Sequence, residues 1–262
     1  MVSRHFFVAL IFAVPMVAAP QQNPASQAKF LDESRTGPQA PPKPAITVTP
    51  EMRGDIFMAR KMYREAAQAY QDGGPVSAVL LNKTGIAYHQ MMELGLAEKY
   101  YRAAIKANPT YAEAINNLGT IYYARKSYRR AIGEYKRALR LTPKSASVWS
   151  NIGTGYFARK DYKKAWDSWQ EALTLDPEVF EHRSSQGVLL QERSVEERAK
   201  FHYYLAKTYA KAGMNDRALM YIRKAIEEGF KERKKFQEEP EFAALKELPE
   251  FKELLAMEPR VL

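Results

Sequence analysis

Cysteine is missing altogether: the 262 residues contain none. That one absence excludes disulfides, thiolate zinc sites, iron–sulfur ligation, a cysteine nucleophile and anchoring through an acylated N-terminal cysteine. Histidine is nearly as scarce. His5, His89, His182 and His202 are scattered along the chain, with no HExxH pair among them. Neither GxGxxG nor GxxxxGK[ST] occurs, so two common phosphate-cradling loops are also lacking. Acid is short relative to base. Thirty Asp and Glu face forty Lys and Arg, for a formal charge of +10 that favours acidic partners. No pair of carboxylates and no nucleophile–base set is brought together by spacing, so the expectation is a non-enzyme with no cofactor and no metal.

The first fifty residues fall into two parts. "MVSRHFFVALIFAVPMVAA" has a basic start at Arg4, an apolar run from Phe6 and small residues at Val17, Ala18 and Ala19. That is the layout of a secretory signal peptide over residues 1–19. Pro15 interrupts the run, which falls short of the ~20 residues needed to span a bilayer. Cleavage after Ala19 would leave Pro20 first, which peptidases disfavour, so an uncleaved membrane anchor is the alternative. The expected location is therefore outside the cytoplasm, periplasmic or secreted, with membrane contact only if the segment is retained. Residues 20–50 carry seven prolines with Gln, Ala and Ser, too little apolar surface to offset ordering entropy. They read as an extended tether.

What the chain has in quantity is self-similarity. "NNLGTIYYARKSYRRA" at 116–131 returns thirty-four positions later as "SNIGTGYFARKDYKKA". Such a fixed period marks a stacked repeat array. Three copies align without gaps, over 78–111, 112–145 and 146–179. The first carries Leu81, Thr84-Gly85, Tyr88, Ala97, Tyr101, Ala104 and Pro109; the second Ile115, Leu118-Gly119, Tyr122, Ala131, Tyr135, Ala138 and Pro143. The third has Trp149, Ile152-Gly153, Tyr156, Ala165, Trp169, Ala172 and Pro177. Large apolar residues recur at helical spacing on two successive segments, so each copy predicts a pair of amphipathic helices. Gly and Ala fall where the paired helices must approach closely, and Pro ends the second helix. One pair cannot bury both faces, so the copies must stack.

These residues resemble the tetratricopeptide repeat family, whose pattern W-x2-L-G-x2-Y, A-x3-F, A and P they follow. The resemblance implies an all-α solenoid of stacked antiparallel helix pairs, a right-handed superhelix that binds proteins or peptides. Residues 51–77, with Gly54, Phe57, Ala66 and Tyr70, read as a degenerate capping copy. Residues 199–232, with Leu205-Ala206, Tyr209, Ala218, Ile222 and Ala225, read as a last repeat-like copy that ends at Gly229. An irregular connector is expected over 180–198. Pro240 and Pro249 mark helix starts in a C-terminal cap, 233–262.

In such an architecture the first helix of each pair lines the concave groove. The candidate peptide-binding residues are Asn82 and His89; Asn116, Asn117, Thr120 and Tyr123; Ser150, Asn151, Thr154 and Phe157; and Tyr203 and Lys207. An amide both donates and accepts, so an Asn ladder suits the backbone of an extended peptide; equally, these residues brace neighbouring helices. The carboxylate clamp of chaperone-binding family members would fall on Asn82, Ile86, Asn117, Ser147 and Asn151. Only Asn117 matches, so the resemblance implies a neutral segment rather than a free C-terminus. The expected partner is thus a protein or peptide. The alternative is an anionic partner (acidic protein, anionic lipid or, least in keeping with export, nucleic acid) on a basic convex face. That face comprises Arg125, Lys126, Arg129, Arg130, Lys136, Arg137 and Arg140.

Overall fold

The computed structural model describes residues 47–73, 77–181 and 194–257. Contacts divide the chain into two units, Met1–Thr47 and Val48–Leu262, and the elements below all belong to the second. The N-terminal signal, nearly all of the tether, His5 and His182, and most of the connector fall outside the described residues.

Every regular element among the described residues is helical, and ten of the helices form five consecutive pairs. They are α1 (Pro50–Ala59) with α2 (Tyr63–Gln71), α3 (Ala78–Gln90) with α4 (Leu94–Ala107), and α5 (Ala112–Ala124) with α6 (Tyr128–Leu141). Next come α7 (Ala146–Ala158) with α8 (Tyr162–Leu175), and α9 (Val195–Lys211) with α10 (Asn215–Glu227). The architecture is a tetratricopeptide-type solenoid of stacked helix pairs. Side chains open several helices by accepting an orphan amide: Thr49 from Met52, Ser77 from Leu80, Ser145 from Val148 and Ser194 from Glu197.

One steric device recurs inside the pairs. A Cβ on Gly54 would come within 2.2 Å of the Tyr70 ring, and one on Gly85 within 2.6 Å of Tyr101. Gly119 faces Tyr135 at 2.6 Å in the same way, and Gly153 faces Trp169 at 2.4 Å. Each glycine is therefore a socket for the large ring of the second helix. In the fifth pair the socket residue is Ala206 and the equivalent knob is Ile222, both fully buried. The small residue grows where the large one shrinks, as close packing demands.

The turn inside each pair also repeats. The amide of Lys61 donates to Met58 O and that of Met62 to Phe57 O. The same two bonds recur at Met92/Glu93, Lys126/Ser127, Lys160/Asp161 and Gly213/Met214. This is a Schellman closure, and its left-handed residue is glycine only in the fifth pair. In the others Lys61, Met92, Lys126 and Lys160 hold φ between 58° and 62°.

The fourth and fifth pairs meet through aromatic rings: Trp169 and Phe201 lie 5.0 Å apart, Phe157 and Phe201 5.5 Å, and Tyr162 stacks on Tyr204 at 5.3 Å. Residues just before the connector and at its start are tied to the last pair. Arg217 bonds Glu178 and the Pro177 carbonyl, and Tyr209 donates to Glu181 at 3.1 Å. After Gly229 come α11 (Lys234–Glu238), a 3-10 turn (Pro240–Leu245) and α12 (Pro249–Ala256). They bury Phe236, Phe242, Leu245, Phe251 and Leu254 against α9 and α10, closing that end of the core.

Candidate functional site

Helix α3 touches α5 and α5 touches α7, whereas the second helices of successive pairs do not come together to the same degree. In a curved stack the elements that crowd together are those on the inside. The first helices therefore form the inner wall, and the predicted site residues can be located on it.

The asparagines are inside the wall rather than on it. Asn82, Asn116, Asn117 and Asn151 are 0–4% exposed. Asn117 Nδ2 donates to Asn82 Oδ1 at 3.0 Å, and Asn151 Nδ2 donates to Asn116 Oδ1 at 3.0 Å. Asn82 in turn donates to Glu113 Oε1 at 3.0 Å and to the Tyr111 hydroxyl at 3.4 Å. Burial and the Glu113 carboxylate push that phenol up to about 12, so it stays protonated. The ladder is a brace between adjacent pairs, its donors already engaged. This corrects the expectation that these amides face a peptide: in a buried site an unpaired amide is costly, and each finds its partner in the neighbouring repeat.

Thr120 and Thr154 are also buried, with their hydroxyls donating to the carbonyls of Asn116 and Ser150 one turn back. Phe157 sits 3% exposed among Tyr162, Trp169, Phe201 and Tyr204. Two further candidates lie under the C-terminal cap. Tyr203, 1% exposed, stacks on Phe230 at 4.5 Å and lies edge-on to Phe236. Lys207 pairs with Glu239 at 3.0 Å and Glu241 at 3.5 Å. Neither is available to a groove ligand, because the last first-helix has its own covering segment.

What remains accessible is His89, Tyr123 and Ser150, each half-buried, with Ile86 beside the first and Tyr204 further along. Burial lowers the His89 pKa below the ordinary 6.5, so its ring is neutral at pH 7. Burial, with Glu239 adding, raises the Tyr204 phenol to about 12. Lys83, on the same helix as His89, is held by Glu51 and Asp55 at 2.8 Å each. The strip thus offers uncharged donors, acceptors and rings on a rigid frame.

The basic residues do not form one face. Arg125 is tied to Glu98, and Arg137 lies 3.5 Å from Glu134. Lys136 sits over the Tyr156 ring at 5.4 Å, on α6 together with Arg140. Lys126, Arg129 and Arg130 instead sit at the α5–α6 turn and the start of α6. They border an open hollow of about 400 Å³ with Ser127, Tyr128 and Arg159. Arg159 was not among the expected patch residues; its period-equivalence to Arg125 was the signal for it. Among the described residues no group of three His, Asp or Glu is placed to hold a metal, and no helix is long and apolar enough to cross a membrane.

Residues 82–146 and 116–180 match the tetratricopeptide repeat family, so that stretch carries tetratricopeptide repeats. Solved structures similar to the chain include that of MamA, at 21% identity over 70% of this chain and 96% of that one, with a TM-score of 0.46. MamA 41-end from Desulfovibrio magneticus RS-1 matches at 18% identity over 66% and 89%, TM-score 0.46. YrrB, described as a TPR protein with an unusual peptide-binding site, matches at 19% identity over 51% and 68%, TM-score 0.43. No curated protein sequence matches the chain.

Proposed function

We propose that the chain is a non-catalytic scaffold that holds an extended, uncharged segment of a partner protein along the inner wall of α3, α5 and α7. The observation that carries this reading is the strip of His89, Tyr123 and Ser150, half-buried and uncharged, mounted on helices whose asparagines are locked to one another. A rigid aromatic such as Tyr123 supplies contact area at low entropic cost. The pre-braced wall supports binding without reorganisation. Residues 1–19 direct the scaffold out of the cytoplasm, into the cell envelope or medium.

A peptide library displayed against the purified chain tests the reading. Selected peptides should lose affinity about tenfold on Tyr123→Ala and His89→Ala, the size of one lost interface anchor, and should be indifferent to Lys136→Ala on α6. Peptides that ignore the two wall variants and follow Lys136 would contradict it. N-terminal sequencing of the mature protein tests export: a start beyond Ala19 is expected, and Met1 on a cytoplasmic protein would refute it.

A further inference from the structure

We propose that the edge of the stack formed by the intra-pair turns docks on an anionic bilayer surface. Cations of the third and fourth pairs would meet lipid phosphates, while Met92 and Leu96 enter the acyl boundary. This edge is a different part of each pair from the inner wall, so either surface can be occupied without the other.

The five turns have the same hydrogen-bond closure, so their tips recur at one place in each pair and fall along one edge of the stack. At that edge the thirty-four-residue period matches Met92 with Lys126 and Lys160, and Leu96 with Arg130 and Lys164. The third and fourth pairs thus place cations where the second pair places apolar side chains. Met92 is 60% exposed and Leu96 38%. Among the described residues both are exposed apolar side chains, Met92 more so than Leu96, at positions where a helix-pair turn would ordinarily be polar.

The cations beside them are open as well. Lys126, Arg129, Arg130 and Arg159 are exposed and none forms an ion pair among the described residues. Asp161, an acid that feels the charge of Arg159, is already held by Lys164 at 2.7 Å. These four side chains border the 400 Å³ hollow with Tyr128, large enough for a phosphate group with its glycerol. Guanidinium forks suit phosphate oxygens. A cationic cluster adjoining protruding apolar residues is the signature of a surface that rests on anionic lipid, with charge drawing it down and apolar side chains entering the interface. A nucleic acid or an acidic peptide would match the cations but leave Met92 and Leu96 unexplained. This contact needs no retained N-terminal anchor.

Flotation of the full chain on lipid vesicles tests it. One set is phosphatidylcholine alone, and in the other about a third of the lipid is phosphatidylglycerol. Any insertion of the apolar N-terminal run adds to both sets, so the quantity read is the preference for anionic over neutral vesicles. Wild type should show a preference of at least about tenfold that fades with salt. The Lys126→Gln/Arg129→Gln/Arg130→Gln/Arg159→Gln variant should lose it, and Met92→Gln/Leu96→Gln should weaken binding to anionic vesicles several-fold while keeping the salt dependence. The single reversal Arg130→Glu provides a milder check should the quadruple variant lose helical content by circular dichroism. A preference that survives in folded quadruple and Arg130→Glu variants would overturn the proposal. So would a wild type that ignores vesicles but binds a poly-glutamate peptide through the same four cations.

Discussion

At the residue scale, the fold rests on matched sizes across each helix pair. Gly119 has room for hydrogen only, because the Tyr135 ring lies 2.6 Å from any Cβ and the Ala131 carbonyl 3.2 Å. Gly119→Ala gains ~1 kcal/mol of helix preference, yet overpacking of this kind costs about 1–3 kcal/mol. The variant should be less stable in denaturant titration. The fifth pair shows the remedy: Ala206 is tolerated opposite Ile222. The double variant Gly119→Ala/Tyr135→Ile should therefore be more stable than the two single changes predict, a coupling that a double-mutant cycle measures directly. Strict additivity would mean that the glycine is not a socket for the ring. These small-and-large positions were fully legible in the sequence, since their offsets repeat. The asparagines were not. Spacing puts Asn82, Asn117 and Asn151 on the first helices, but whether an amide meets a ligand or the next repeat depends on the distance between helices. Only the 3.0 Å bonds between neighbours decide it.

At the element scale, four of the five intra-pair turns close through a left-handed residue that is not glycine. A left-handed Lys costs roughly 1–2 kcal/mol relative to the right-handed region. Lys160→Gly, which makes the fourth turn like the fifth at Gly213, should therefore raise stability by ~0.5–1 kcal/mol after glycine's own entropy is subtracted. A fall in the denaturation midpoint would show that the Lys160 side chain makes a compensating contact. Helix ends were readable where a proline or a glycine marks them, as at Pro240, Pro249 and Gly229. The covering of α9 by the C-terminal segment was not readable. That segment departs from the period, so no register assigned Phe236 and Phe242 to Tyr203, or Glu239 and Glu241 to Lys207. Lys207 and Tyr203 looked like groove residues only while their cover was unknown.

At the scale of the whole molecule, two half-buried imidazoles among the described residues, His89 and His202, give stability a pH dependence. Burial is the main cause for both His89 and His202; for His202 the Glu228 carboxylate 2.8 Å away opposes it without cancelling it. Both folded-state pKa values lie below 6.5, so below that pH the unfolded chain binds protons that the folded chain refuses. Stability then rises with pH where the unfolded state is the more protonated. The free energy of unfolding should accordingly fall on acidification from about pH 7 to about pH 5. In His89→Gln/His202→Gln that slope should flatten. A slope unchanged in the double variant would place the proton uptake elsewhere. Glu98 and Glu232, whose pKa values are lowered although burial opposes the lowering, add their loss only at lower pH, as they protonate.

A photocrosslink from the inner wall shows whether a partner segment lies along it. Benzoylphenylalanine in place of Tyr123 should form a covalent adduct with a peptide selected against the native chain, while the same residue in place of Lys136 on α6 should not. An adduct from position 136 and none from position 123 would contradict the inner-wall reading and move the binding surface to the second helices.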